Sequence, residues 1–227
     1  MSISERLAEV RENIRIHAEG RAVTLVAVSK YAAVEQMREA YQAGARHFGE
    51  NRVQDALAKI AAFPAEEYPD LHWHLIGSLQ TNKAKKTVNQ FSLIQSVDST
   101  RLAEAISEQN LAANQRQDVL LQVNLSNDPN RHGFLPEDLP AALTPILSMK
   151  GIRLRGLMGM APPEASIDND QQALRRIFCG LRDLNGQLAH DFGIDLPELS
   201  MGMSHDYIHA LVCGATIIRL GNYLFKN

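Results

Sequence analysis

The sequence predicts a single (β/α)8 barrel of TIM type, spanning residues 1–227 and preceded by one extra N-terminal helix. Three observations carry that expectation. Eight short apolar runs alternate with seven helical patterns, which implies a parallel sheet covered by helices. The 227 residues divide into units of about 28, and barrels of this kind typically take ~250 residues and as few as ~200. A doubly wound open sheet is the competitor, but no G-x-G-x-x-G fingerprint follows the first strand. No low-complexity tract or Pro/Gly/Ser linker divides the chain.

The first helix opens with Ser2 and Glu5 in capping-box spacing, and Ile3, Leu7, Val10 and Ile14 mark one face. Strands are expected at 23–29, 46–49, 72–77, 93–97, 119–125, 154–160, 198–201 and 216–220. Helices are expected near 35–43, 52–61, 82–89, 100–113, 137–148, 169–190 and 205–213. In the last of these, Ser204 is the expected N-cap, Ile208, Leu211 and Val212 the inward face, and Gly214 the stop.

Composition excludes several classes. A net charge of -3 gives no general attraction to nucleic acid or anionic lipid. Charges interrupt any apolar core in the first twenty residues, so no signal peptide is expected, and no apolar run reaches membrane-spanning length. Cys179 and Cys213 lie far apart in no metal or redox spacing, and read as reduced structural thiols of a cytoplasmic protein.

In a barrel of this kind, functional side chains gather at the carboxyl ends of the strands. Here those ends read "VSK", "GEN", "LIGSLQTNK", "SVDS", "NLSNDPNRHGF", "MGMAPP", "GMSHD" and "RLGN". Lys30 closes the first, on the face of Val26 and Val28 by strand alternation, so valines in the lumen would send its amine into the mouth. A lysine nucleophile needs its neutral form, which burial favours, and with a carbonyl it gives a Schiff base. A lysine at a strand end can equally snorkel to solvent, and position alone leaves both readings open.

The far end of the chain adds context. "LSMGMSHDYIHALVCG" turns from strand to helix through Gly202, offering free N–H groups and the Ser204 hydroxyl to an anion. Ordinary capping accounts for such a serine as well, and Asp206 would compete with a phosphate unless it points away. In "TIIRLGNYLF", alternation sets Ile217 and Arg219 opposite Thr216, Ile218 and Leu220. An arginine late in the last strand is expensive without an acceptor, and Gly221 lets backbone approach a ligand closely. Strand eight closes on strand one, so Lys30, Ser204, Arg219 and Gly221 would be neighbours. An aldehyde bearing a phosphate and a ring nitrogen would use all of them.

"AVSK", "FGENRVQ", "WHLIGSLQTNK", "SMGMS" and "IIRLGNYLF", in this order, closely resemble the pyridoxal-phosphate homeostasis protein family, also known as the proline synthetase co-transcribed type. The resemblance covers essentially the whole chain. It implies an alanine-racemase-like barrel of fold-type III, binding pyridoxal 5'-phosphate (PLP) as a monomer without established catalysis, in vitamin B6 and amino-acid homeostasis. Carried over, Lys30 would hold the cofactor as a Schiff base. Ser204 and the backbone N–H groups of Gly221 and Asn222 would hold the phosphate. Arg219 would face the pyridine nitrogen, and Asn51 would lie beside the cofactor. The implied partners are PLP, other B6 vitamers and apo-enzymes that need PLP, with neither nucleic acid nor membrane. The sequence departs from the family where Arg131 replaces a common lysine, and where the usual glycine after the terminal "LF" is missing.

A low-activity PLP-dependent racemase is the alternative reading. An arginine facing the ring nitrogen only donates, which favours an unprotonated ring and a weaker electron sink. The related racemases work with that arrangement, but they add a β domain that supplies a tyrosine acid/base. Here the barrel consumes the chain, and Tyr31 beside Lys30 is the only tempting tyrosine. His72 and His74 share a strand face and could suit a metal, yet no third ligand is evident, and His74 is expected to line the cofactor pocket instead. Lys83, Lys85 and Lys86 form either a solvated face or a surface for anionic vitamers or an acidic partner.

Overall fold

A computed structural model describes residues 1–126, 131–162 and 170–225. Its elements run α1 (Ile3–His17), β1 (Thr24–Val28), α2 (Val34–Gln42), β2 (His47–Glu50), α3 (Val53–Ile60), β3 (His72–Leu75), β4 (Leu93–Val97), α4 (Thr100–Ala112), β5 (Gln117–Val123), α5 (Leu139–Ser148), β6 (Ile152–Gly159), α6 (Gln171–Phe192), β7 (Glu198–Ser200), α7 (Tyr207–Val212), β8 (Ile217–Leu220) and α8 (Asn222–Phe225). The strands are parallel, ordered β1 to β8, and closed by β8 pairing with β1. This is the barrel the sequence predicts.

Strand alternation builds two apolar layers from one sheet. Val26, Leu93, Leu120, Met158 and Ile217 meet in the lumen. Their chain neighbours Ala27, Ile94, Leu121, Leu157 and Ile218 face outward into the larger core beneath the helices. Full burial of a Leu or Ile contributes roughly 1.5–3 kcal/mol, so each helix is held chiefly by the stripe it turns toward the sheet.

α1 is the extra helix, and its capping box is complete. The Glu5 N–H donates to Ser2 Oγ at 3.2 Å, and the Ser2 N–H donates to Glu5 Oε2 at 2.8 Å. Ile3, Leu7 and Val10 are buried, and the helix packs against α2, α7 and α8. It thereby covers the seam where β8 meets β1, and Arg6 fastens it to α8 by donating to the Leu224 carbonyl at 3.2 Å.

Several local expectations are corrected. The segment expected as a helix at 82–89 is a 3-10 helix, Thr81–Thr87. α7 has six residues and buries Tyr207, Ala210 and Leu211. Ile208 and Val212, expected to point inward, are 37% and 41% exposed; in so short a helix only one i, i+3, i+4 face can reach the sheet. The cysteines are not separate thiols: Cys179 and Cys213 form a disulfide. Packing of α6 on α7 brings their Cα atoms to 4.8 Å, a proximity that sequence spacing does not reveal. Residues 127–130 of the "NLSNDPNRHGF" loop, Pro163, residue 169 of the sixth helix candidate and the last two residues lie outside the described residues.

The register between β5 and β6 shifts between Val119 and Leu120. There Gly156 has φ +148°, and a Cβ on it would lie 1.8 Å from the Glu198 carbonyl oxygen of β7. Backbone cannot yield as a flexible side chain would. Gly156→Ala is expected to lower unfolding stability by about 2–4 kcal/mol, read as a lower urea midpoint at unchanged slope; a midpoint equal to wild type would refute the close approach.

Candidate functional site

Lys30 follows β1 in a turn that is clamped from below. Ser29 Oγ donates to Glu50 Oε1 at 2.6 Å, and Lys59 Nζ from α3 donates to the same oxygen at 2.7 Å. Lys59 also donates to the Ser29 carbonyl. The Lys59 and Glu50 side chains are 15% and 1% exposed, so this ion pair is buried and removing either partner would strand a charge. The turn is therefore fixed to β2 and α3, and Lys30 projects from a rigid base.

The Lys30 side chain is exposed, with Nζ 5.1 Å from the centroid of the Tyr31 ring. Strand alternation would send the amine into the mouth, but it ceases to apply once the chain leaves β1 at Val28. Lys30 nevertheless lines a cavity of about 140 Å³ together with Val28, Gly221, Asn222 and Phe225. Gly221 makes that proximity possible: a Cβ there would lie 3.2 Å from both the Cβ and the carbonyl oxygen of Val28.

Ser204, Arg219 and Asn51 are outside the lining of this cavity. Ser204 is not the cap of α7; its Oγ accepts from the Tyr223 N–H at 3.4 Å, tying it to α8. Asp206 occupies the cap position instead, and its carboxylate folds back to accept from the Met203 N–H at 2.6 Å. Asn51 follows β2, its backbone so close to Gly77 that a Cβ there would lie 2.4 Å from the Asn51 oxygen.

Arg219 lies in the lumen two residues before Gly221 and is only 4% exposed. Nη1 donates to Ser200 Oγ at 2.5 Å, and Nη2 reaches past β7 to the Gly159 carbonyl at 3.0 Å. Burial lowers its pKa to about 10, while the charge of Asp206 pulls the other way. It remains a cation at neutral pH, and two of its five N–H donors have acceptors among the described residues.

From Arg219 a polar chain crosses the lumen. Ser200 Oγ donates to Gln95 Oε1 at 2.6 Å, the Gln95 amide nitrogen lies 2.9 Å from His74 Nδ1, and His74 Nε2 lies 3.0 Å from His47 Nδ1. Arginine can only donate, which sets the direction of every link. Ser200 accepts from Arg219 and spends its proton on Gln95; Gln95 donates to His74; His74 carries its proton on Nε2 and donates to His47. The chain ends at a cavity of about 170 Å³ lined by His47, His72, His74, Thr24, Arg155 and Glu198, among others. Thr24, His47 and His72 begin their strands, so this cavity opens at the amino end of the barrel. His74 therefore lines the opposite end from Lys30, which corrects its expected place beside the cofactor. Among the described residues no three His, Cys, Asp or Glu side chains assemble for a metal.

Ser29, Glu50, Lys59, Gln95, Ser200 and His47 were not singled out in the sequence. Gln95 shares a strand face with Leu93, which lies in the lumen; a polar residue at an inward position of a wholly buried strand is the signal that could have found it. A broader cavity of about 400 Å³ occupies the other side of the mouth, lined by Gln122, Asn124, Arg131, His132, Met160 and Met203, among others.

Comparison with known proteins follows the same geometry. The family model for the alanine racemase N-terminal domain matches residues 5–227. The pyridoxal phosphate homeostasis protein of Aquifex aeolicus is 38% identical, over 99% of this chain and 98% of its own. That of Pseudomonas aeruginosa is 40% identical, over 99% and 95%. This chain belongs to the pyridoxal phosphate homeostasis protein family. PipY of Synechococcus elongatus, a structure with PLP bound, superposes with TM-score 0.86 at 40% identity, covering 99% of this chain and 100% of that one. An alanine racemase from Clostridium difficile shares the fold alone, with TM-score 0.76 at 12% identity, over 98% of this chain and 57% of that one.

The histidines at the far end of the chain set an acid limit. Burial holds His47 at about 4 and His74 at about 3, with mutual repulsion among the histidines adding to both. The unfolded chain, at about 6.5, takes up these protons first, so stability is full above pH 6.5 and falls as pH drops from 6.5 toward 4. Urea denaturation across that window is expected to show the decline for wild type and a shallower one for His74→Asn; parallel slopes would contradict neutral burial.

Proposed function

We propose that this protein binds pyridoxal 5'-phosphate at the carboxyl end of its barrel and serves B6 and amino-acid homeostasis by holding the cofactor rather than turning over a substrate. One observation carries the reading. Arg219 is a buried guanidinium, two of whose five N–H donors have acceptors among the described residues, and it stands two positions before Gly221, which lines one cavity with Asn222 and an accessible lysine. Such a cation is costly unless an acceptor meets it, and a pyridine nitrogen is one.

The residues present fit the cofactor. Lys30 supplies an amine to carry it as a Schiff base, on a turn held by Glu50 and Lys59. Gly221 leaves room where a side chain would press on Val28, so the backbone N–H groups of Gly221 and Asn222, with the Ser204 hydroxyl, can take the phosphate. Arg219 takes the ring nitrogen and Asn51 the side of the ring. When bound, PLP supplies an aldehyde and an electron-poor ring.

Several features favour a holder over a catalyst. A donor-only partner keeps the ring nitrogen unprotonated, which weakens the ring as an electron sink. Tyr31, the tyrosine beside Lys30, is 85% exposed, and a solvated phenol lacks the enclosure that guides proton transfer at carbon. An open mouth suits exchange of B6 vitamers and hand-over to apo-enzymes, with the protein acting as a monomer in the cytoplasm. The relatives' homeostasis designation agrees with this reading.

The test is an absorbance spectrum of protein loaded with PLP. Wild type is expected to be yellow, to bleach with borohydride and to carry the label on Lys30, and its holo form to leave the Cα hydrogen of L-alanine unexchanged in heavy water. Lys30→Ala should lose the Schiff-base band while retaining weaker, phosphate-anchored binding. Wild-type protein that stays colourless with added PLP would end the proposal.

A further inference from the structure

The polar chain through the lumen has a function that capping or packing does not require. It links five of the eight strands: Arg219 on β8, Ser200 on β7, Gln95 on β4, His74 on β3 and His47 on β2. Gln95 and Ser200 are wholly buried and His74 nearly so. An apolar lumen of the kind made by Val26, Leu93, Leu120, Met158 and Ile217 would be cheaper to fold. A polar network in that position is stable only when every link is satisfied, and here each link has its donor and its acceptor.

We propose that Ser200, Gln95 and His74 are positioning residues that fix the rotation of the Arg219 guanidinium, so that its remaining N–H donors are presented to the ligand in the mouth. This rests on the reading of Arg219 as the partner of the cofactor's ring nitrogen. The geometry supplies the reason. Two acceptors of different kinds, the Ser200 hydroxyl and the Gly159 carbonyl, grip the two terminal nitrogens of one planar group and so define its plane. The hydroxyl can play that part only while its own proton is engaged elsewhere. Gln95 Oε1 engages it, and the Gln95 amide is in turn prevented from flipping by His74 Nδ1, which must stay unprotonated to accept. The His74 tautomer is held by His47. Orientation at the mouth is thus set by a series of single-direction hydrogen bonds that begins at the opposite opening of the barrel.

Two measurements test this. In the cofactor-free protein, ¹⁵N NMR is expected to report His74 and His47 as Nε2–H tautomers; an Nδ1–H tautomer at His74 would overturn the direction of the chain. PLP titration of Ser200→Ala and of Gln95→Leu is expected to show about tenfold weaker binding, the effect of losing a hydrogen bond to a charged group, together with a shifted absorbance maximum. Borohydride should still trap the label on Lys30. Ser200→Thr, which keeps the hydroxyl, should restore both affinity and spectrum, which recovered packing alone would not do. Ser200→Ala with wild-type affinity and spectrum would overturn the positioning role while leaving cofactor binding intact. Wild-type protein that takes up no PLP would overturn the reading beneath it and this role together.

Discussion

Closure of β8 on β1 is the constraint on which the site depends. That pairing sets Arg219 in register with Val26 and carries Gly221 to within contact of Val28. Nothing nearer in sequence could bring a lysine at residue 30 to a glycine at 221. The lumen valine and the buried guanidinium share one level of that seam and the glycine lies at the next, and α1 seals the seam from outside by packing on α2, α7 and α8. Weakening the seam would part the amine from the groups that complement it.

The barrel as a whole was legible because its signal is repeated. Each strand is a short run of largely apolar residues followed by polar turn residues, and no strand boundary differs by more than two residues between sequence and structure. What was not legible were the features that depend on how two elements face each other. The disulfide between Cys179 and Cys213, the exposed side of α7 at Ile208 and Val212, and the replacement of Ser204 by Asp206 at its cap are all of this kind. Periodicity identifies a face but not its neighbour, and a helix of six residues offers too little period to fix even the face.

The site divides in the same way. Lys30, Gly221 and Asn222 were recognisable from motif and position, and one cavity unites them. Arg219 was recognisable as an arginine late in the last strand, expensive without an acceptor, and the structure buries it. The groups that hold these four in place were invisible individually. Glu50 is an acid in a short motif, Lys59 one of several lysines on helices, and Gln95 a single amide in "LIQSV". Their meaning comes from distance: 2.7 Å between Lys59 and Glu50, and 2.6 Å between Ser200 and Gln95. Position of the lysine and orientation of the arginine are therefore maintained by separate buried networks, one ionic and outside the sheet's end, the other neutral below the arginine and running along the axis.

The separation of Lys30 from Arg219 along the chain also imposes an order in time. During synthesis the turn that carries the amine, with its anchors Ser29, Glu50 and Lys59, exists long before β8 is made. The guanidinium and the glycine arrive with the last of the eight strands, so a ligand that needs both groups can engage only a barrel whose eight strands have all been made. Its binding energy then opposes opening of the whole cylinder and not the fraying of one part, making occupancy a report that folding has gone to completion.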